Sequence, residues 1–185
     1  MEMTPRAPGH ALARPEPSQA DVDEFSRLSA EAASAVAVLS AVWQGRDYAG
    51  TVGSFLTVSW DPPTMLASLY AESRLAAAVA GSGRWALSVL PYGHKSVANW
   101  LASPGMPLEG LLERVPFRRG ELTGAAVVDG ALAHFELETA DIHPAATHLL
   151  VVGTVVGMGS TAPPSEAMDP LLHWGGDYVR LAGRG

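Results

Sequence analysis

The chain has 185 residues, 48% hydrophobic and 17% charged, which is enough to bury the core of one domain and too apolar for a disordered protein. Twelve Lys and Arg face 19 Asp and Glu, and the net charge of -7 gives no attraction to nucleic acid or to an anionic membrane surface. There is no cysteine, so disulfides, thiolate metal sites and a thiol nucleophile are excluded.

Residues 1–20 carry Pro5, Pro8, Pro15 and Pro17 among scattered charges and read as a disordered leader, with a single domain over 21–185. The opening MEMTPRAPGH lacks the apolar core of a signal peptide, and no apolar run reaches the roughly 18 residues of a membrane span. A soluble, cytoplasmic protein is therefore expected. Residues 21–33 place Val22, Phe25, Leu28 and Ala32 at helical spacing behind Asp21 as N-cap, which predicts a short helix lying against the main body.

Residues 35–43 are apolar on both alternate faces, with Val36, Val38 and Val42 on one and Ala37, Leu39 and Trp43 on the other. Such a strand belongs inside a closed sheet or under a partner subunit. A turn at Gln44-Gly45-Arg46-Asp47 makes the next stretch its hairpin partner. That stretch, YAGTVGSFLTVSWDPP from Tyr48 to Pro63, is the most informative in the chain. Gly50 and Gly53 leave backbone N–H groups uncovered, so a flat ligand can lie against the main chain, and Thr51 and Ser54 add hydroxyls. On these residues alone the plainer reading is a hairpin turn feeding the strand 55–60.

A third strand follows at 64–70. Ser73 then stands as N-cap before Arg74-Leu75-Ala76-Ala77-Ala78-Val79-Ala80, with Gly81 at the C-terminal stop. Free N–H groups, the positive end of the helix dipole and Arg74 make this a phosphate seat, or else a plain capped helix with an exposed arginine. Residues 84–91 read as a strand, 94–103 as a helix, and 103–119 as an irregular excursion. A short strand over 124–129 enters the Asp129-Gly130 turn. Residues 131–139 alternate, with Ala133, Phe135 and Leu137 inward and His134, Glu136 and Glu138 outward and solvated. A loop holding His143-Pro144 is expected over 141–146, a β-branched strand over 147–158, a loop over 160–168 and a last strand or hairpin over 171–181. Six or seven mostly antiparallel strands with short helices indicate a closed barrel.

No HExxH, GxSxG or P-loop is present, and the histidines are too widely spaced to suggest a metal site. The segments GTVGSFLTVSWDPP, SLYAESR, GSGRWALSVL, VVDGALAHFE, ATHLLVVGTV and PLLHWGGDY, in that order, resemble the flavin reductase-like FMN-binding split-barrel family. The resemblance runs from about Ala35 to Tyr178. It implies a mainly β, antiparallel split β-barrel with a few short peripheral helices, assembled as a homodimer. It also implies binding of FMN or FAD, hydride from NADH or NADPH, and release of reduced flavin to a separate partner monooxygenase.

By position in the family, Thr51, Val52, Gly53 and Ser54 would line the flavin ring and ribityl chain. Ser68, Leu69 and Tyr70 would follow from the third strand, and Ser73 with Arg74 would hold the phosphate. His148 would stand near the nicotinamide as the catalytic residue, orienting and stabilising charge, with Trp174 and Tyr178 from the closing motif beside the cofactor. The family's Gly-Asp-His triplet is here Ala146-Thr147-His148, and His173 replaces an aromatic in the closing motif. Those departures leave room for a flavin carrier or sensor without turnover, or for an oxidase with tightly held flavin. The alternative for His148 is a packed strand histidine.

Overall fold

The computed structural model describes residues 16–103, 111–162 and 169–181. In chain order the elements are α1 (Gln19–Ser29), β1 (Ser34–Ala35), β2 (Ala37–Trp43), β3 (Arg46–Val52), β4 (Phe55–Trp60), β5 (Pro63–Tyr70), α2 (Arg74–Ser82) and β6 (Arg84–Val89). Then come α3 (Lys95–Ala102), β7 (Phe117–Arg119), β8 (Ala126–Val128), β9 (Ala133–Ala145), β10 (His148–Gly159), β11 (Leu172–Trp174) and β12 (Asp177–Val179).

Seven strands form one antiparallel sheet in the order β3-β2-β6-β9-β10-β5-β4. The two edges of that sheet, β3 and β4, are consecutive in the chain, and only Gly53 and Ser54 lie between them. The three steps from Val52 to Phe55 span at most about 11 Å, so the edges come together at this link and the sheet curls into a barrel. The Ser68 N–H donates to the Ser54 carbonyl at 2.9 Å and ties the link to β5. This is the antiparallel split β-barrel that the sequence predicts, and its seam runs through the Tyr48 to Pro63 stretch.

Strand β2 is buried on both faces, as its double apolar pattern requires. Ala37, Leu39 and Ala41 enter the barrel core with Trp85, Leu87, Leu137 and Val151. Val36, before β2, and Val38 pack outside the barrel, under α3 and β8, with Leu90, Val97 and Leu101. The chain itself supplies both covers. At the barrel's centre the indole of Trp85 is fully buried and donates to Thr139 Oγ1 at 3.2 Å.

Several local expectations are corrected. Ser18, not Asp21, caps α1, and Asp21 returns the bond to the Ser18 N–H in a capping box. The helix starts within the stretch expected to be leader, and it buries no residue against the body; residues 1–15 lie outside the described residues. Gly83 in the left-handed conformation ends α2, because Gly81 sits inside the helix against the Trp43 indole. The His143-Pro144 segment is strand rather than loop, since β9 runs on to Ala145 and pairs with β10 through a tight turn at Ala146-Thr147.

Glu136 points outward from the barrel as expected but is not solvated. The turn at 120–124 folds over it, and the Glu121, Leu122 and Thr123 N–H groups and the Thr123 hydroxyl all donate to its carboxylate. His134 is half-buried, its Nδ1 shut off from solvent without a hydrogen-bond partner among the described residues. Burial, then the nearby Arg118 charge, lowers its pKa. The expected loop over 160–168 falls largely on residues 163–168, outside the described residues, as does 104–110 of the excursion. Among the described residues no helix is long and apolar enough to cross a membrane.

Candidate functional site

A cleft of about 910 Å³ opens along the barrel seam. One wall is the C-terminal half of β3 with the link beyond it, Tyr48 to Ser54. The other is the end of β5, Ser68 to Tyr70, with His148 at the start of β10. The N-terminus of α2 closes one end through Glu72, Ser73, Arg74 and Leu75.

The backbone at the seam is open because its side chains are occupied elsewhere or absent. The Thr51 hydroxyl donates to the Ala98 carbonyl of α3 at 2.7 Å, so it anchors the strand and keeps only its acceptor lone pairs for a ligand. Tyr48 is buried in the barrel core beneath. A Cβ at Gly50 would stand 3.1 Å from Leu75 Cδ2, so glycine lets α2 close over β3. A Cβ at Gly53 would stand 3.1 Å from the Ser34 hydroxyl, so the space this glycine leaves is filled by β1. Ser54 completes the edge.

Ser73 caps α2 as expected, its hydroxyl accepting from the Ala76 N–H at 3.0 Å. That leaves other first-turn N–H groups at the cleft with the positive end of the helix dipole behind them, and Arg74 lines the same end. An anionic group is favoured there.

Beside this terminus β5 ends and β10 begins in register, Tyr70 opposite His148, and the Ser73 N–H donates to the Tyr70 carbonyl at 3.0 Å. Their rings meet edge-on with centroids 5.9 Å apart. The Tyr70 hydroxyl donates to Glu72 Oε2 at 2.9 Å, and His148 Nδ1 lies 3.0 Å from Thr147 Oγ1. Both aromatic residues are exposed to the cleft rather than packed in a core, so the reading of His148 as a buried strand histidine is set aside.

The structure thus gathers Thr51, Val52, Gly53, Ser54, Ser68, Leu69, Tyr70, Ser73, Arg74 and His148 around one cleft. It does not bring Trp174 and Tyr178 to it. Trp174 lies in the hairpin of β11 and β12, where its indole donates to the Glu31 carbonyl at 3.2 Å. Tyr178 packs on the outer core under α3, with Lys95 5.9 Å above its ring, and burial raises the pKa of its phenol. The hairpin pairs with β1, not with the barrel, and so carries both residues away from this chain's cleft.

Six lining residues escaped sequence reasoning: Glu72, Leu75, Leu111, and Leu101, Ala102 and Ser103 at the end of α3. Glu72 and Leu75 flank the expected phosphate seat, a signal that was available. The α3 residues reach the cleft only because α3 packs on β3, which nothing local in the sequence announces.

The volume falls within the ~300–1,000 Å³ of small-molecule sites. A flat backbone wall, an anion-favouring helix terminus and an exposed imidazole in one cleft suit a ligand with a planar ring and a phosphate. That is the chemistry of a flavin mononucleotide or dinucleotide, and the residues present fit it.

Comparison with known proteins gives a consistent result. Residues 29–182 match the flavin reductase like domain. A probable flavin reductase of Rhizobium meliloti is 32% identical over 142 residues, 76% of this chain, and the chain spans only 43% of that protein's length. The flavin reductase (NADH) of Kitasatospora aureofaciens is 28% identical over 166 residues, 89% of this chain and 84% of that one. Among solved structures, the flavin reductase component of a bacterial two-component tryptophan halogenase superposes with a TM-score of 0.80 at 26% identity. The match covers 89% of this chain and 100% of that one.

Proposed function

Because the chain belongs to the flavin reductase like domain family, we propose that it is an NAD(P)H-dependent flavin reductase that supplies reduced flavin to a partner monooxygenase. It would work as a cytoplasmic homodimer. The single observation that carries the reading is the union, in one cleft, of the seam backbone Gly50 to Ser54, the α2 terminus with Arg74, and His148. When bound, FMN or FAD would supply the acceptor for the two-electron hydride of NADH or NADPH.

What this chain contributes is binding and alignment. The seam backbone offers a flat surface for a planar ring, and Ser73 holds the first turn of α2 so that its N–H groups face a phosphate. Arg74 adds charge at the same end. Hydride transfer depends on stacking geometry, and a misplacement of about 1 Å can cost a hundredfold, so rigid walls serve it better than a proton donor. His148, held edge-on against Tyr70 and beside the Thr147 hydroxyl, orients the donor ring and stabilises charge there.

The test is direct. Purified protein is mixed with excess FMN or FAD and with NADH or NADPH, and nucleotide absorbance is followed. Oxidation with at least one of the four pairs is expected, and absence with all four overturns the reading. Activity that needs added flavin after desalting identifies a diffusible flavin; activity without it identifies a tightly bound one.

A further inference from the structure

Glu72 lines the seam cleft and has no role in the reading above. It stands between Tyr70, the last residue of β5, and Ser73, the N-cap of α2. An exposed glutamate there can serve α2 as a negative charge near the helix N-terminus. Its geometry shows a more specific engagement. Glu72 Oε2 accepts the Tyr70 hydroxyl at 2.9 Å. A phenol donating to a carboxylate makes a charge-assisted bond, stronger than one between neutral groups.

The backbone on either side of Glu72 is fixed. The Ala71 N–H donates to the Thr147 carbonyl at 3.0 Å, and the Ser73 N–H donates to the Tyr70 carbonyl at 3.0 Å. The first bond ties the link between β5 and α2 to the residue before His148. The second closes that link into a turn. An exposed side-chain bond ordinarily gains little, because mobile groups must be ordered to make it. Here the backbone is already ordered, and only the Glu72 and Tyr70 side chains lose freedom.

What the bond holds is the Tyr70 ring. Tyr70 is 49% exposed, so core packing does not set the orientation of its phenol. The ring meets His148 edge-on with centroids 5.9 Å apart. His148 is exposed as well, and its imidazole is held on one side by that ring and at Nδ1 by the Thr147 hydroxyl. Freeing the phenol removes one of these two supports.

We infer that Glu72 is a positioning residue for the nicotinamide donor: through Tyr70 it holds the His148 imidazole in the orientation that receives the donor ring. Glu72 acts as a hydrogen-bond acceptor rather than as a charge, and it does not touch the reacting atoms. The inference rests on the flavin reductase reading above and adds to it a residue that no motif of the sequence singles out.

Glu72→Ala removes both the charge and the acceptor, whereas Glu72→Gln removes the charge and keeps an oxygen that accepts the phenol hydrogen. At saturating flavin, E72A is expected to lower kcat/KM for NADH or NADPH about fivefold, the scale of one aromatic edge contact, without weakening flavin binding. E72Q should recover most of that loss. Equal losses in E72A and E72Q would make Glu72 a charge on α2 and overturn the inference. In the His148→Ala background E72A should cost nothing further, because Glu72 acts only through the imidazole; a second loss of similar size overturns the inference. A readout independent of turnover comes from the ligand-free protein. The His148 ring-proton NMR signals, identified by their absence in H148A, should shift alike in E72A and Tyr70→Phe and stay near their wild-type positions in E72Q. A wild-type protein that oxidises neither nucleotide with either flavin overturns the reductase reading and the donor role with it. An active protein whose His148 signals and kcat/KM are unmoved in E72A overturns the Glu72 inference alone.

Discussion

Tyr70 and His148 are register partners in the seam cleft, beside the N-terminus of α2, and their rings meet edge-on at 5.9 Å. Tyr70 ends β5 and His148 begins β10, so the pairing of two strands fixes where the imidazole stands. Neither position is set by a flexible loop.

His148→Ala is therefore expected to lower kcat/KM for the nicotinamide donor roughly tenfold while leaving the flavin dissociation constant within about twofold. Steady-state rates at saturating flavin, with flavin titrated separately by fluorescence, read both quantities. Equal rates in the two proteins would remove the role.

Arg74→Gln should weaken FMN binding by about tenfold, the scale of one charge-assisted hydrogen bond to phosphate. Riboflavin has the same ring without the phosphate, and its affinity should stay unchanged. A parallel loss for both ligands would place Arg74 on the ring rather than at the phosphate seat.

Glu136 clamps the turn at 120–124, and its carboxyl titrates below its ordinary value of 4.5. Burial alone would push it up, but the bonds from Thr123, Leu122 and Glu121 outweigh that penalty. The stabilisation is thus present above about pH 4.5 and is lost as pH falls through the lower folded value. Glu136→Gln should cost about 2 kcal/mol at neutral pH and less in acid. Urea melts of both proteins at pH 7 and at acid pH would show the gap narrowing; a constant gap would contradict the clamp.

Gly153 is packed against the central indole. A Cβ there would stand 2.7 Å from Trp85 Cζ2 and 3.1 Å from Leu137 Cβ, and both side chains are fully buried. Overpacking costs ~1–3 kcal/mol, against ~0.4–1 kcal/mol recovered by restricting the unfolded chain. Gly153→Ala should therefore destabilise by about 1–2 kcal/mol in chemical denaturation. A more stable variant would show that Trp85 yields.

Much of this was legible in the sequence because it is written locally. Backbone propensity and alternation placed the barrel strands, the doubly apolar pattern of residues 35–43 announced a strand covered on both faces, and Ser73 with Arg74 marked a helix start suited to phosphate. The motif order from Gly50 to Tyr178 carried the family. What alternation could not report is what covers an outward face. Glu136 has the same pattern as Glu138, yet one is clamped by a turn from sixteen to twelve residues earlier and the other is half exposed beside Arg84. For the same reason Trp174 and Tyr178 fit a motif by spacing but are carried off by a hairpin that pairs with β1.

The meeting of the two sheet edges at Gly53 and Ser54 belongs to the tertiary structure alone, and it turns a hairpin-like stretch into the wall of a cleft. Local interactions decide which residues form strands and where helices start. Only the closure of the sheet decides which of those residues face one another, because it joins positions 50, 70 and 148 that no local rule relates.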